Sequence, residues 1–262
     1  MFVGEKLFAE AEESSDSFFW LGQHSFLIKL AGKLILIDPF LMPMSERLVP
    51  PLFAAEDAKA VDLVCCTHDH LDHIDPFAVS ELAQKTNCHF IAPKACEARM
   101  LSLGVSVSRL TLLNDGENYQ YGPVSIHAIK AAHEFFEMTP EGYFPYLGYV
   151  LASEMKKLYH AGDTLWWEGL QARLRHFGPL DAAFVPINGR DAKRYREGII
   201  GNMTYQEAAD LTGGLDIALT VPSHYDMFAG NLADPQLFID YMQIKYPQKA
   251  LWVGQVAEKV IV

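Results

Sequence analysis

Residues 67–75 read Thr-His-Asp-His-Leu-Asp-His-Ile-Asp, directly after the apolar run 61–66. His68, His70, Asp72 and His73 therefore fall within six positions. Imidazole nitrogen and carboxylate oxygen are the donors that Zn²⁺, Fe²⁺ and Mn²⁺ take, so the cluster reads first as a metal site. Its spacing differs from the helical H-E-x-x-H of zinc proteases and suits a loop leaving a strand end, where side chains two apart converge on one ion. The plain alternative is a solvated loop that happens to be rich in histidine.

A pair of metal ions needs more donors than this segment supplies. Three candidates share one position, just past the C-terminal end of an expected strand: His133 after 124–131, Asp163 after 157–160, and His224 after 217–221. Each has a competing reading. His127 rivals His133 but falls inside its strand. Asp163 alone reads as the N-cap of an expected helix. His24, in Trp20-Leu21-Gly22-Gln23-His24-Ser25, fits no donor slot, and a structural role suits it as well as a place beside the site.

The elements that would position these residues follow from hydrophobic pattern and punctuation. Segments 17–21, 25–30 and 34–37 read as strands, the last two joined by the Ala31-Gly32-Lys33 turn. Segment 61–66 reads as a buried strand. Asp75 then caps a helix over 75–84, with Pro76 at its first position. A strand at 88–92 and a helix at 93–103 follow, then strands at 124–131, 146–152 and 157–160. Helices are expected at 164–177, 204–211 and 235–246, and strands at 181–186, 217–221, 250–253 and 259–262; 188–201 reads as a long polar loop. Early hairpins followed by strands alternating with helices predict two sheets with helices outside, in a single domain spanning 1–262.

Composition narrows the classes. Half of the 262 residues are hydrophobic, enough for a substantial core. The formal net charge of −12, with no basic stripe, argues against a nucleic-acid partner. Cys65, Cys66, Cys88 and Cys96 form no C-x-x-C pair. Reduced thiols in a cytoplasmic protein are the simplest expectation. Residues 1–15 lack the apolar core of a signal peptide, and no run approaches the ~18 apolar residues of a membrane span.

The order H-x-H-x-D-H, a lone His, Gly-Asp-Thr at 162–164 and a late His after a strand resembles the metallo-β-lactamase superfamily. The resemblance covers residues 18–262. It implies a four-layer αβ/βα sandwich with a two-metal site at one edge. His68, His70 and His133 would bind one metal ion, Asp72, His73 and His224 the other, and Asp163 would bridge them. The opening 20–25, Leu36-Ile37-Asp38-Pro39, Pro186-Ile187-Asn188-Gly189-Arg190 and 201–208, with 222–228 and Asn231, resemble the branch that contains the L-ascorbate-6-phosphate lactonases. The donors, all nitrogen and oxygen, leave Mn²⁺ and Fe²⁺ open beside Zn²⁺; the branch favours Mn²⁺ and implies a small anionic lactone or ester as substrate.

Metal ions would lower the pKa of water from about 15.7 toward roughly 7, supplying a hydroxide for hydrolysis. Asp72 would orient the nucleophile and move a proton; His224 or Tyr225 would stabilise the oxyanion. No G-x-S-x-G elbow is present, so no serine nucleophile is implied. Arg190 and Arg194, in a run with four basic residues among seven, read as a clamp on an anionic substrate or as a solvated surface. The aromatic loop 134–146 reads as a wall of the pocket or a subunit contact, and a homo-oligomer is expected. A phosphodiesterase and a metal-binding protein without catalysis are the alternative functions.

Overall fold

The computed structural model describes residues 3–262; the first two residues of the acidic stretch 1–15 lie outside it. Most of the remainder of that stretch forms helix α1 (Val3–Glu13), which the sequence pattern did not lead us to expect. Gly4, Leu7, Phe8 and Ala11 are its buried residues, a helical spacing that puts them on one face.

β1 (Ser17–Trp20), β2 (Phe26–Leu30) and β3 (Lys33–Ile37) form an antiparallel meander. β4 (Leu63–Cys65) joins β3 in parallel. Helix α2 (Pro76–Lys85) leads on to β5 (His89–Pro93), and helix α3 (Glu97–Ser102) leads to β6 (Leu110–Leu113). Both strands continue the parallel order. A second sheet repeats the scheme. β7 (Asn118–Tyr121), β8 (Val124–Lys130), β9 (Leu147–Ala152) and β10 (Lys157–His160) run antiparallel. Past helix α4 (Leu170–Phe177), β11 (Leu180–Pro186) joins β10 in parallel. Helices α5 (Ala192–Arg196) and α6 (Tyr205–Gly213) precede β12 (Ile217–Ser223), and α7 (Pro235–Lys245) precedes β13 (Ala250–Leu251). The last strand, β14 (Lys259–Ile261), returns to the free side of β1. Each sheet thus has seven strands.

The layering follows from strands buried on both faces, which read as nearly continuous apolar runs. In β2, Phe26 and Ile28 join the core shared with Phe184 and Tyr149 of the second sheet. Leu27 points the other way, into the cluster with Leu7, Phe8 and Leu82 of α1 and α2. Phe18 and Phe26 meet Phe184 at ring-centroid distances of 5.0 and 4.4 Å, an aromatic seam between the sheets. Ala208 and Leu211 of α6 and Phe238 and Met242 of α7 are buried in the same core. The result is the expected αβ/βα sandwich.

Three expectations need correction. The helix expected at 164–177 begins only at Leu170, behind Gly169 at φ 98°, so Asp163 caps nothing. The helix expected at 93–103 is a short 3-10 turn followed by α3, as Pro93 is still in strand β5. The loop 188–201 contains α5, capped by Asp191, whose carboxylate accepts from the backbone N–H of Lys193 and Arg194.

Candidate metal centre

Residues just past β4, β8, β10 and β12 meet at one edge of the sandwich. His68, His70, His133 and Asp163 each offer a donor atom within 4.8 Å of the others, and Asp72, His73 and His224 do the same. Asp163 lies between the two groups. Its Oδ2 is 3.1 Å from His224 Nε2 and 3.7 Å from His133 Nε2, and its Oδ1 is 3.4 Å from His73 Nε2.

The backbone delivering these side chains is tightly constrained. Gly162 has φ +60°, and a Cβ there would lie 2.3 Å from the Leu147 carbonyl oxygen. Only glycine lets the β10 end pass that close to β9. Thr164 Oγ1 accepts from Ala132 N–H at 3.0 Å, and Ala132 O accepts from Leu165 N–H at 2.8 Å. The segments bearing His133 and Asp163 are thereby tied together. Gln23, Asp38 and His224 all hold positive φ, at 52°, 45° and 62°. Such values in non-glycine residues cluster where a site needs an unusual side-chain direction.

Behind the donors stands a second set of buried groups. Asp38 Oδ2 accepts from His73 Nδ1 at 2.7 Å and from Thr67 Oγ1 at 2.6 Å, while Oδ1 accepts from Thr67 N–H at 2.7 Å. Because the Thr67 hydroxyl donates to Asp38, it accepts from His68 Nδ1, 2.9 Å away. One carboxylate therefore fixes His73 directly and His68 through Thr67, leaving the Nε2 lone pair of each ring available to the site. Gln23 donates its amide to Asp72 Oδ2 at 2.6 Å.

His24 and His160 support the Asp163 loop from beneath. Burial pushes both rings below their usual value, His160 to about 4, so both are neutral. His24 Nε2 donates to Gly162 O at 3.1 Å and its Nδ1 accepts from Ser223 Oγ at 2.7 Å. His160 Nε2 donates to His24 O at 2.9 Å and its Nδ1 accepts from Gly162 N–H at 3.2 Å. Of the two readings of His24, the structural one describes its contacts. Asp38, Gln23 and Thr67 carried no assigned role in sequence. The readable signal for Asp38 was its place just past β3, the same strand-end position as the donors.

The charge balance suits a cation. Burial alone would lower His73 and His224, yet Asp163 and Asp72 hold both above the ordinary imidazole value. Burial would raise Asp163, but His224 and His73 keep it well below the carboxylate range. Burial pushes His133 down to about 4. His73 Nε2 and Asp163 Oδ1 are buried with no hydrogen-bond partner. Unpaired buried polar atoms cost about 1–3 kcal/mol each, and a divalent ion between them removes that cost. The donor set fits two such ions, all nitrogen and oxygen; thiolates play no part, since burial raises Cys65 and Cys66 far above neutrality.

The sequence over residues 33–225 matches the family model described as a beta-lactamase superfamily domain. The chain belongs to the metallo-β-lactamase superfamily. Within it, a UPF0173 metal-dependent hydrolase of Lysinibacillus sphaericus is 30% identical over 226 residues, covering 84% of this chain and 90% of the relative. A second, from Thermococcus onnurineus, is 27% identical over 243 residues, 91% of this chain and 97% of that one. The chain is thus a member of the UPF0173 metal-dependent hydrolases. A solved metallo hydrolase from Ignicoccus hospitalis shares the fold, with a TM-score of 0.72 at 23% identity over 94% of this chain and 98% of its own.

Above the donors of this hydrolase lies a cavity of about 760 Å³, with His70, Asp72, His133, Asp163 and His224 in its floor. The three candidate substrate residues do not line it. Arg190 makes a two-pronged pair with Glu207, at 2.6 and 2.8 Å. Arg194 donates to the carbonyls of Asn188 and Leu232. Tyr225 is buried against Trp20, with ring centroids 5.2 Å apart. From the aromatic loop only Tyr146 borders the donors, with ring centroids 5.2, 5.8 and 5.3 Å from His68, His70 and His133. Phe136 and Phe144 instead surround the Lys130 ammonium, 4.5 and 5.1 Å from it. None of the described helices is long and apolar enough to cross a membrane.

Proposed function

We propose that this chain hydrolyses a lactone or carboxylic ester. One observation carries the reading: two donor groups joined by Asp163 form the floor of a cavity large enough for a small organic substrate. His68, His70 and His133 would hold one divalent ion and Asp72, His73 and His224 the other, with Asp163 shared. Bound there, the ions supply a water of lowered pKa and polarise the carbonyl under attack.

The chain's own groups set the rest. Asp72 is 16% exposed and faces the cavity, while Gln23 occupies its Oδ2. Its Oδ1 remains to take a proton from the incoming water. Burial would raise Asp72, but His73 and His224 keep it ionised at neutral pH, the state a base needs. His224, held at φ 62°, presents its Nε2 beside both Asp72 and Asp163 at 3.6 and 3.1 Å, in the cavity floor, where it would serve as a donor to the second ion. No serine or cysteine nucleophile is needed.

The test is hydrolysis of a panel of lactones, carboxylic esters and phosphodiesters by Zn²⁺- and Mn²⁺-loaded protein. Chelator-sensitive turnover of lactones or esters, lost in Asp163→Ala and His70→Ala variants that still fold, is the expected result. Turnover of phosphodiesters alone would replace this reading with the phosphodiesterase one. Metal binding without any turnover would leave a metal-binding protein.

A further inference from the structure

The lining of the cavity says more about its occupant than its floor does. Beyond the donors its walls come from three segments: the connection after β3, the turn after α5 and the loop after β12. Their side chains, with Leu71, are mostly apolar: Met44, Ile199, Ile200 and Phe228. Leu71 lies between His70 and Asp72 and is 42% exposed, because its neighbours turn inward to the donors. Glu46 is the charged wall residue, and no lysine or arginine is among the described lining residues.

Two guanidinium groups behind the walls, those of Arg47 and Arg194, are already engaged. Arg47 donates to the carbonyls of Val49, Phe40 and Met42 at 2.9, 2.9 and 3.2 Å, and its guanidinium covers the Phe40 ring at 4.2 Å. It also forms a β-bridge with Phe228, and Leu48 N–H donates to Met227 O at 2.9 Å. Two walls are thereby joined. Arg194 anchors the third: Ile199 N–H donates to Arg194 O at 2.9 Å, while the Arg194 guanidinium holds Asn188 and Leu232. Arg194 thus braces the pocket from behind. An anionic tail entering here would meet Glu46 and no lysine or arginine among the described lining residues, in a chain of net charge −12.

We propose that this cavity accepts lactones or esters whose remote part is an uncharged apolar group, and discriminates against substrates ending in phosphate or carboxylate. The proposal rests on the hydrolase reading above and deepens it. Apolar lining around a few polar reacting groups is the usual build of a small-molecule site, and an exposed apolar surface there calls for an apolar partner.

The experiment uses the full chain loaded with Zn²⁺ or Mn²⁺ and γ-lactones bearing methyl, butyl or hexyl substituents. Matched compounds end in carboxylate or phosphate. The expected result is a kcat/KM that rises roughly threefold to fourfold per buried methylene, with the anionic compounds at least about tenfold poorer. Ile199→Lys and Leu71→Gln should flatten the chain-length series, and Ile199→Lys should narrow the gap to the anionic compounds. Calorimetric binding of inert alkyl cyclic ethers to metal-free protein reads the cavity without turnover, and affinity should rise with chain length. A flat ether series, or anionic compounds turned over as well as alkyl ones, would overturn the proposal. Ethers that bind as expected with no lactone or ester hydrolysed would support the cavity reading while overturning the hydrolase reading.

Discussion

Asp38→Asn is expected to weaken metal binding by roughly 10- to 100-fold while leaving the fold intact. Asparagine tolerates the left-handed backbone that Asp38 adopts at φ 45°, so the substitution isolates the side chain. The wild-type carboxylate accepts three hydrogen bonds, from His73, the Thr67 hydroxyl and Thr67 N–H. An amide cannot reproduce them in either orientation. With its NH₂ toward His73, the ring must accept at Nδ1 and carry its proton on Nε2, the atom that faces Asp163 and Asp72 at 3.4 and 3.6 Å. That tautomer cannot ligate. With its oxygen toward His73 instead, the NH₂ opposes Thr67 N–H, leaving a buried donor unpaired at about 1–3 kcal/mol. The cheaper arrangement sets the penalty, and a 10- to 100-fold loss corresponds to about 1.4–2.7 kcal/mol. Both donor groups should weaken, because Thr67 passes the same constraint to His68. Competition of Zn²⁺ and Mn²⁺ against a chelator, with bound metal counted by mass spectrometry, measures this. Wild-type affinity at both sites in a folded Asp38→Asn protein would refute the orienting role.

The raised values of His73 and His224 give a pH signature. A raised imidazole stabilises the metal-free fold fully below its unfolded value of about 6.5, and that stability is lost as pH climbs through the folded value. Metal-free protein should therefore melt at lower temperature as pH rises above 6.5, while the stabilisation given by added metal grows, because ligation needs both rings deprotonated. A metal-free melting temperature flat from pH 6.5 upward would contradict that assignment. Gly162→Ala should cost several kcal/mol, from a positive φ plus a Cβ at 2.3 Å from Leu147 O, and should lower metal occupancy by displacing Asp163. Chemical denaturation and metal content would measure the two effects, and near-wild-type values for both would show that the β9–β10 contact can relax.

Local order carried the first cluster. His68, His70, Asp72 and His73 are neighbours in the chain, so their convergence needs only a loop at a strand end. The alternation of buried strands and helices was legible for the same reason, since a strand buried on both faces and a capped helix such as α2 leave local patterns. The partnership of His133, Asp163 and His224 had no local signal beyond a shared strand-end position. All three follow strands of the second sheet, where two antiparallel steps from β8 through β9 to β10 and two parallel ones on to β12 leave the three C-terminal ends at one edge. Helix α1 was missed although its buried residues Gly4, Leu7, Phe8 and Ala11 keep the i, i+3, i+4, i+7 spacing of one helical face.

What only the tertiary structure decided lies in long-range contacts. Asp38 reaches His73 across 35 positions, Gln23 reaches Asp72 across 49, and His24 reaches Gly162 across 138. Sequence gives the types of such residues but not their pairing, because the pairing is set by how the sheets stack. The basic run 190–196 is the sharpest case. Its composition suits an anion clamp, yet Glu207 and the Asn188 and Leu232 carbonyls take up its two candidate guanidinium groups. Whether a charge faces a ligand or braces a wall depends on the direction of its side chain, which is fixed only when the chain has folded.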